Sequence, residues 1–114
     1  MKYTMKSPCP QCPFRTDNRF YLRPGRVRAI AAALVRGEFP CHKTAEHDEE
    51  GDWKRTGDEV HCAGALILLE KSGRPSQMMR IAERLGIYDR RTIDMEAPVF
   101  ASFGAMASAQ EERR

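Results

Sequence analysis

The chain has 114 residues, 41% of them hydrophobic and 31% charged, with a mean hydropathy of -0.60 and four cysteines. That length suits one domain and excludes a multidomain enzyme, and no apolar run approaches the roughly 20 residues of a membrane span. The formal net charge of +3 conceals an asymmetry: residues 1–44 hold nine basic side chains against two acidic ones, residues 45–59 two against seven, and residues 60–114 eight against seven.

The basic first part is suited to an anionic partner, and the acidic stretch reads as a solvated loop or a neutralising segment. The first ten residues lack the apolar core of a secretory signal, so a cytoplasmic location is expected. In that compartment four cysteines are expected to be metal ligands or redox thiols rather than disulfides.

Residues 1–24 contain Pro8, Pro10, Pro13 and Pro24 and read as a Cys/Pro-rich loop, because each proline removes a backbone donor and restricts its predecessor. A helix is expected over 26–36, where Val27, Ile30, Ala31, Leu34 and Val35 repeat at helical spacing and Gly37 supplies a stop. Residues 44–59 are acidic, hold Gly51 and Gly57, and read as a long loop pinned by Trp53. The segment 62–71 is apolar nearly all round and reads as a central buried helix, ended at Ser72-Gly73. A further helix is expected over 76–85, with Met78, Ile81, Ala82 and Leu85 on its inner face and Gly86 after it. A short final helix is expected within 97–109. The fold class that results is mainly α: a single domain of about four helices with a loop-rich N-terminus.

Chemistry concentrates in Cys9, Cys12, Cys41, His42, His47, His61 and Cys62. Two residues separate Cys9 from Cys12, which lets both sulfurs approach one ion from a tight turn. Cys41 and Cys62 flank the acidic loop, so a shared centre would tie the N-terminal loop to the two ends of that loop and supply the staple that a small core needs. Zinc accepts four thiolates, or three with His42 or His61 as a substitute; a [4Fe-4S] cluster is the alternative. A thioredoxin-like site is disfavoured, since Cys9 lies too near the terminus for a preceding strand. The deaminase pattern is disfavoured because His47-Asp48-Glu49 follows Pro8-Cys9-Pro10-Gln11-Cys12 instead of preceding it. No phosphate-binding glycine loop or nucleophile elbow is present.

Cys9-Pro10-Gln11-Cys12-Pro13-Phe14-Arg15, Phe39-Pro40-Cys41-His42-Lys43-Thr44 and Cys62-Ala63-Gly64-Ala65-Leu66-Ile67 together resemble a family of small bacterial and phage proteins of unknown function. The resemblance covers roughly residues 8 to 70 and implies that the four cysteines act together. Arg15 is then expected to balance the charge of a thiolate centre, or to contact phosphate. The reading as a whole is a non-enzymatic metal-binding module that meets nucleic acid or an acidic protein through Arg19, Arg23, Arg26, Arg28 and Arg36. An iron–sulfur redox sensor or electron-transfer protein is the alternative.

Overall fold

The computed structural model describes residues 3–10, 12–18, 21–35, 39, 46, 47, 49, 53, 54 and 60–113. Among them are four helices, α1 (Pro24–Val35), α2 (Ala63–Lys71), α3 (Gln77–Arg84) and α4 (Phe103–Glu112), so the architecture is mainly α. Two short strands, β1 (Glu46–His47) and β2 (Trp53–Lys54), pair antiparallel, with Glu46 opposite Lys54 and His47 opposite Trp53. The stretch expected to be loop therefore contains a ladder, which its lack of apolar alternation does not announce. No helix among the described residues is long and apolar enough to cross a membrane.

The molecule is organised around α2. Every residue from Ala63 to Leu69 is buried, which follows from a helix that is apolar on all sides. Leu66, Ile67 and Leu68 are fully covered, and burying a side chain of this size contributes about 1.5–3 kcal/mol. Phe14 from the N-terminal loop, Ile30 and Leu34 from α1, Met79 and Ala82 from α3, and Met106 from α4 complete the core. The ends of α2 and α3 have the same construction. The Gly73 N–H donates to the Glu70 carbonyl (3.1 Å) and the Arg74 N–H to the Leu69 carbonyl (2.9 Å); Gly86 and Ile87 repeat this on Glu83 and Ala82. The turn needs a left-handed residue, and the two glycines supply it at φ 70° and 76°.

Two expectations change. On α3 the buried residues are Met79 and Ala82, whereas Met78, Ile81 and Leu85 are exposed. The inner face is turned by about one residue from the one the apolar spacing suggests, at about 100° per residue. The Ser76 hydroxyl caps this helix by accepting from the Met79 N–H at 3.2 Å. The last helix starts at Phe103, six residues after the expected 97, with Ser102 as its cap. Pro98 disfavours helix in its predecessor, and the backbone there is already engaged elsewhere. The Phe100 N–H donates to the Phe14 carbonyl (3.0 Å), the Thr16 N–H to the Pro98 carbonyl (2.8 Å), and Lys71 Nζ to the Val99 carbonyl (3.0 Å). Residues 97–100 thereby clamp the N-terminal loop onto the end of α2.

Candidate metal centre

The N-terminal loop delivers its cysteines through a closed turn. The Cys12 N–H donates to the Cys9 carbonyl at 3.0 Å, and the Arg15 N–H to the Cys12 carbonyl at 3.2 Å. Asn18 Nδ2 donates to that same carbonyl at 2.6 Å and fixes the loop from the side. The result places Cys12, fully buried, against the N-terminus of α2, where Cys62 is the residue preceding the first helical turn. The two sulfurs lie 3.6 Å apart although 50 residues separate them in the chain. Cys12 and Cys62 are not joined by a disulfide.

Several groups favour a thiolate at Cys12. The Cys62 thiol, as donor, holds the Cys12 thiol below its ordinary pKa; burial opposes this, while the Phe14 N–H, the Arg15 charge and the Gly64 N–H act in the same direction as Cys62. Gly64 is required here for room. A Cβ built on it would overlap Cys12 Sγ and press on Phe14 Cβ at 3.1 Å. The glycine in the first turn of α2 is thus what lets a sulfur from another element reach the helix N-terminus.

Among the described residues Arg15 hydrogen-bonds no sulfur. Its guanidinium clasps Asp17 through two hydrogen bonds (2.8 and 2.7 Å) and reaches the Pro8 carbonyl at 3.4 Å. Its pKa is raised, mainly by the Asp17 hydrogen bond and to a lesser degree by the charges of Cys12 and Cys9. The charge therefore sits close enough to act on the cysteines through space, and Asp17 and Asn18, which sequence reasoning missed, hold the loop around it. Their only signal is that both are short polar residues directly after the cysteine turn.

Cys9 is partly buried and packs against the core. His61 is buried, stacks on Tyr3 (centroids 5.3 Å apart, 22° between planes) and turns Nδ1 toward the Cys62 carbonyl at 3.2 Å. Among the described residues no group of three or more Cys, His, Asp or Glu side chains converges as a metal site. Cys41 and His42 lie outside the described residues. Phe39, two residues before Cys41, does not: the Cys62 N–H donates to the Phe39 carbonyl at 2.8 Å, and the Phe39 ring packs edge-on against Phe14 at 5.4 Å.

Of the arginines expected to meet a partner, Arg19 and Arg36 also lie outside the described residues. Arg23, Arg26 and Arg28 are exposed. Arg26 and Arg28 are two residues apart on α1, about 200° around the helix, so they occupy its two flanks and not a single stripe.

A family model matches residues 4–114. The chain belongs to DUF6283, a family of unknown function. The family thus extends through α3 and α4, well past residue 70, where the resemblance of the cysteine motifs ends. No curated protein and no solved structure matches the chain.

Proposed function

We propose that this member of the family is a non-enzymatic metal-binding module in which Cys9, Cys12, Cys41 and Cys62 hold one zinc ion. The observation that carries the reading is the buried Cys12–Cys62 pair with its sulfurs 3.6 Å apart. Two thiolates on one tetrahedral zinc, at bonds of about 2.3 Å, stand about 3.8 Å apart. In a [4Fe-4S] cluster each thiolate takes its own iron, which spreads the sulfurs further. The donor chemistry suits zinc as well. Backbone N–H groups of Phe14 and Gly64 and the nearby Arg15 offset the negative charge that four thiolates leave on Zn²⁺. Cys9 belongs to the same closed turn as Cys12, and Cys41 follows by two residues the Phe39 carbonyl that Cys62 engages. Bound zinc would join the N-terminal loop, the segment after α1 and the start of α2, and add stability to a small domain.

The exposed Arg23, Arg26 and Arg28, with Arg19 and Arg36, are proposed to meet nucleic acid or an acidic protein. Purification without oxygen followed by zinc and iron analysis and a visible spectrum tests the metal reading. Colourless protein with one zinc per chain, lost in Cys12→Ser and Cys62→Ser, is expected. A brown protein absorbing near about 400 nm would establish the iron–sulfur alternative instead.

A further inference from the structure

On the side of the molecule built from the end of α2, α3 and the turn after it lies a cavity of about 340 Å³ lined by Glu70, Arg80, Glu83, Arg84, Tyr88 and Arg90, among others. An adjoining hollow of about 520 Å³ shares Glu83, Tyr88 and Arg90. The first volume is in the range of small-molecule sites.

The lining divides into two kinds of group. Arg80 and Arg84 are one helical turn apart and lie on the same side of α3. Neither makes an ion pair with any described residue, whereas Arg90 is engaged by Glu83 at 3.2 Å. Glu70 feels the Arg80 charge across the cavity, and two adjacent planar guanidinium groups that form no ion pair among the described residues match the oxygens of a phosphate. The other kind is Tyr88. It is 5% exposed, and its hydroxyl makes no hydrogen bond of good geometry among the described residues, only a weak contact with Glu70. A buried tyrosine hydroxyl normally has one. Glu70 stands beside it without closing a hydrogen bond of good geometry, and burial, aided by the Glu70 charge, keeps the phenol protonated and a donor. A phenol donor and a carboxylate acceptor side by side are the pair that holds a sugar hydroxyl, which accepts from one and donates to the other.

We propose that this cavity binds a hydroxylated phosphomonoester, a sugar phosphate or the ribose phosphate of a nucleotide, with Arg80 and Arg84 on the phosphate and Tyr88 and Glu70 on the hydroxyls. The site is distinct from the cysteines and does not depend on the metal proposed for them.

Calorimetric titration of the whole protein, at one ionic strength, with inorganic phosphate, ribose 5-phosphate, AMP and ribose tests it. Ribose 5-phosphate or AMP is expected to bind one per chain and more tightly than phosphate or ribose, the tighter of the two distinguishing a free sugar phosphate from a nucleotide. Arg80→Gln with Arg84→Gln, both at exposed positions, is expected to weaken the phosphorylated probes by roughly tenfold or more. Tyr88→Phe keeps the buried ring and is expected to weaken ribose 5-phosphate several-fold while leaving inorganic phosphate unchanged. Absence of saturable binding by both phosphorylated sugars, or binding that the double arginine variant leaves intact, overturns the proposal. Equal binding of ribose 5-phosphate by Tyr88→Phe overturns the assignment of the hydroxyl contacts.

Discussion

Gly64→Ala places a methyl group where the structure has Cys12 Sγ and Phe14 Cβ, both on fully buried residues. Neither neighbour is the loose end of a flexible chain, so the strain falls on the packing of the cysteine turn against α2. Overpacking a buried site costs about 1–3 kcal/mol, from which up to about 1 kcal/mol is recovered because alanine favours helix over glycine. The net loss is about 1–2 kcal/mol, and for a domain of this size Tm falls by about 4–8 °C. Gly104→Ala is the matched control, because Gly104 holds the equivalent second position of α4 and a Cβ there meets only Ser102 Oγ at 3.7 Å. That substitution is expected to be neutral or to raise Tm by up to about 4 °C. Thermal melts followed by circular dichroism, with zinc content measured on the same samples, compare the two. Gly64→Ala is expected to lose metal as well as stability. Equal Tm values for the two variants, with full zinc in both, would refute the claim that Gly64 makes room for the sulfur.

Gln110 is 3% exposed and its Oε1 accepts from the Leu22 N–H at 2.7 Å, joining α4 to the segment just before α1. Gln110→Ala strands that donor, and a loss of about 1–3 kcal/mol is expected in urea unfolding; an unchanged midpoint would contradict it. Arg15→Gln removes a charge beside the cysteines and is expected to lower zinc affinity about tenfold in chelator competition, with little change in the Tm of the metal-depleted protein. Zinc affinity equal to that of the parent protein would show that Arg15 serves only the clasp with Asp17. Replacing Arg23, Arg26 and Arg28 by Gln is expected to weaken binding to a duplex DNA or RNA probe and to flatten its salt dependence by about one logarithmic unit for each phosphate no longer neutralised; a slope that does not move removes α1 from the interface.

Much of the fold is legible in the chain because its helices carry strong local signals. The all-apolar run from Ala63 to Leu69 identifies α2, and Gly73 and Gly86 end two helices by a conformation that glycine adopts most easily. Long-range relations are harder to read. Nothing local tells that residues 97–100 serve as backbone partners for Phe14 and Thr16, and without that knowledge Phe100 and Val99 look like part of a final helix. The inner face of α3 depends on where Ser76 starts the helix and on what packs there, so the exposed Met78 and Leu85 pass for core. At the candidate metal centre the cysteines are visible by residue type and position. The juxtaposition of Cys12 with Cys62 across 50 residues, and the part played by Asn18, require the folded chain. The cavity beside Tyr88 escapes sequence reading for another reason. Residues 60–114 are almost neutral in sum, and only in space do Arg80, Arg84, Glu70 and Tyr88 come together around one cavity.

The buried sulfur pair is proposed to be half of a four-thiolate zinc site. X-ray absorption at the zinc edge of the purified protein measures it directly: four sulfur neighbours at about 2.3 Å are predicted. A shell dominated by nitrogen or oxygen ligands, or protein that retains no zinc, would contradict the account.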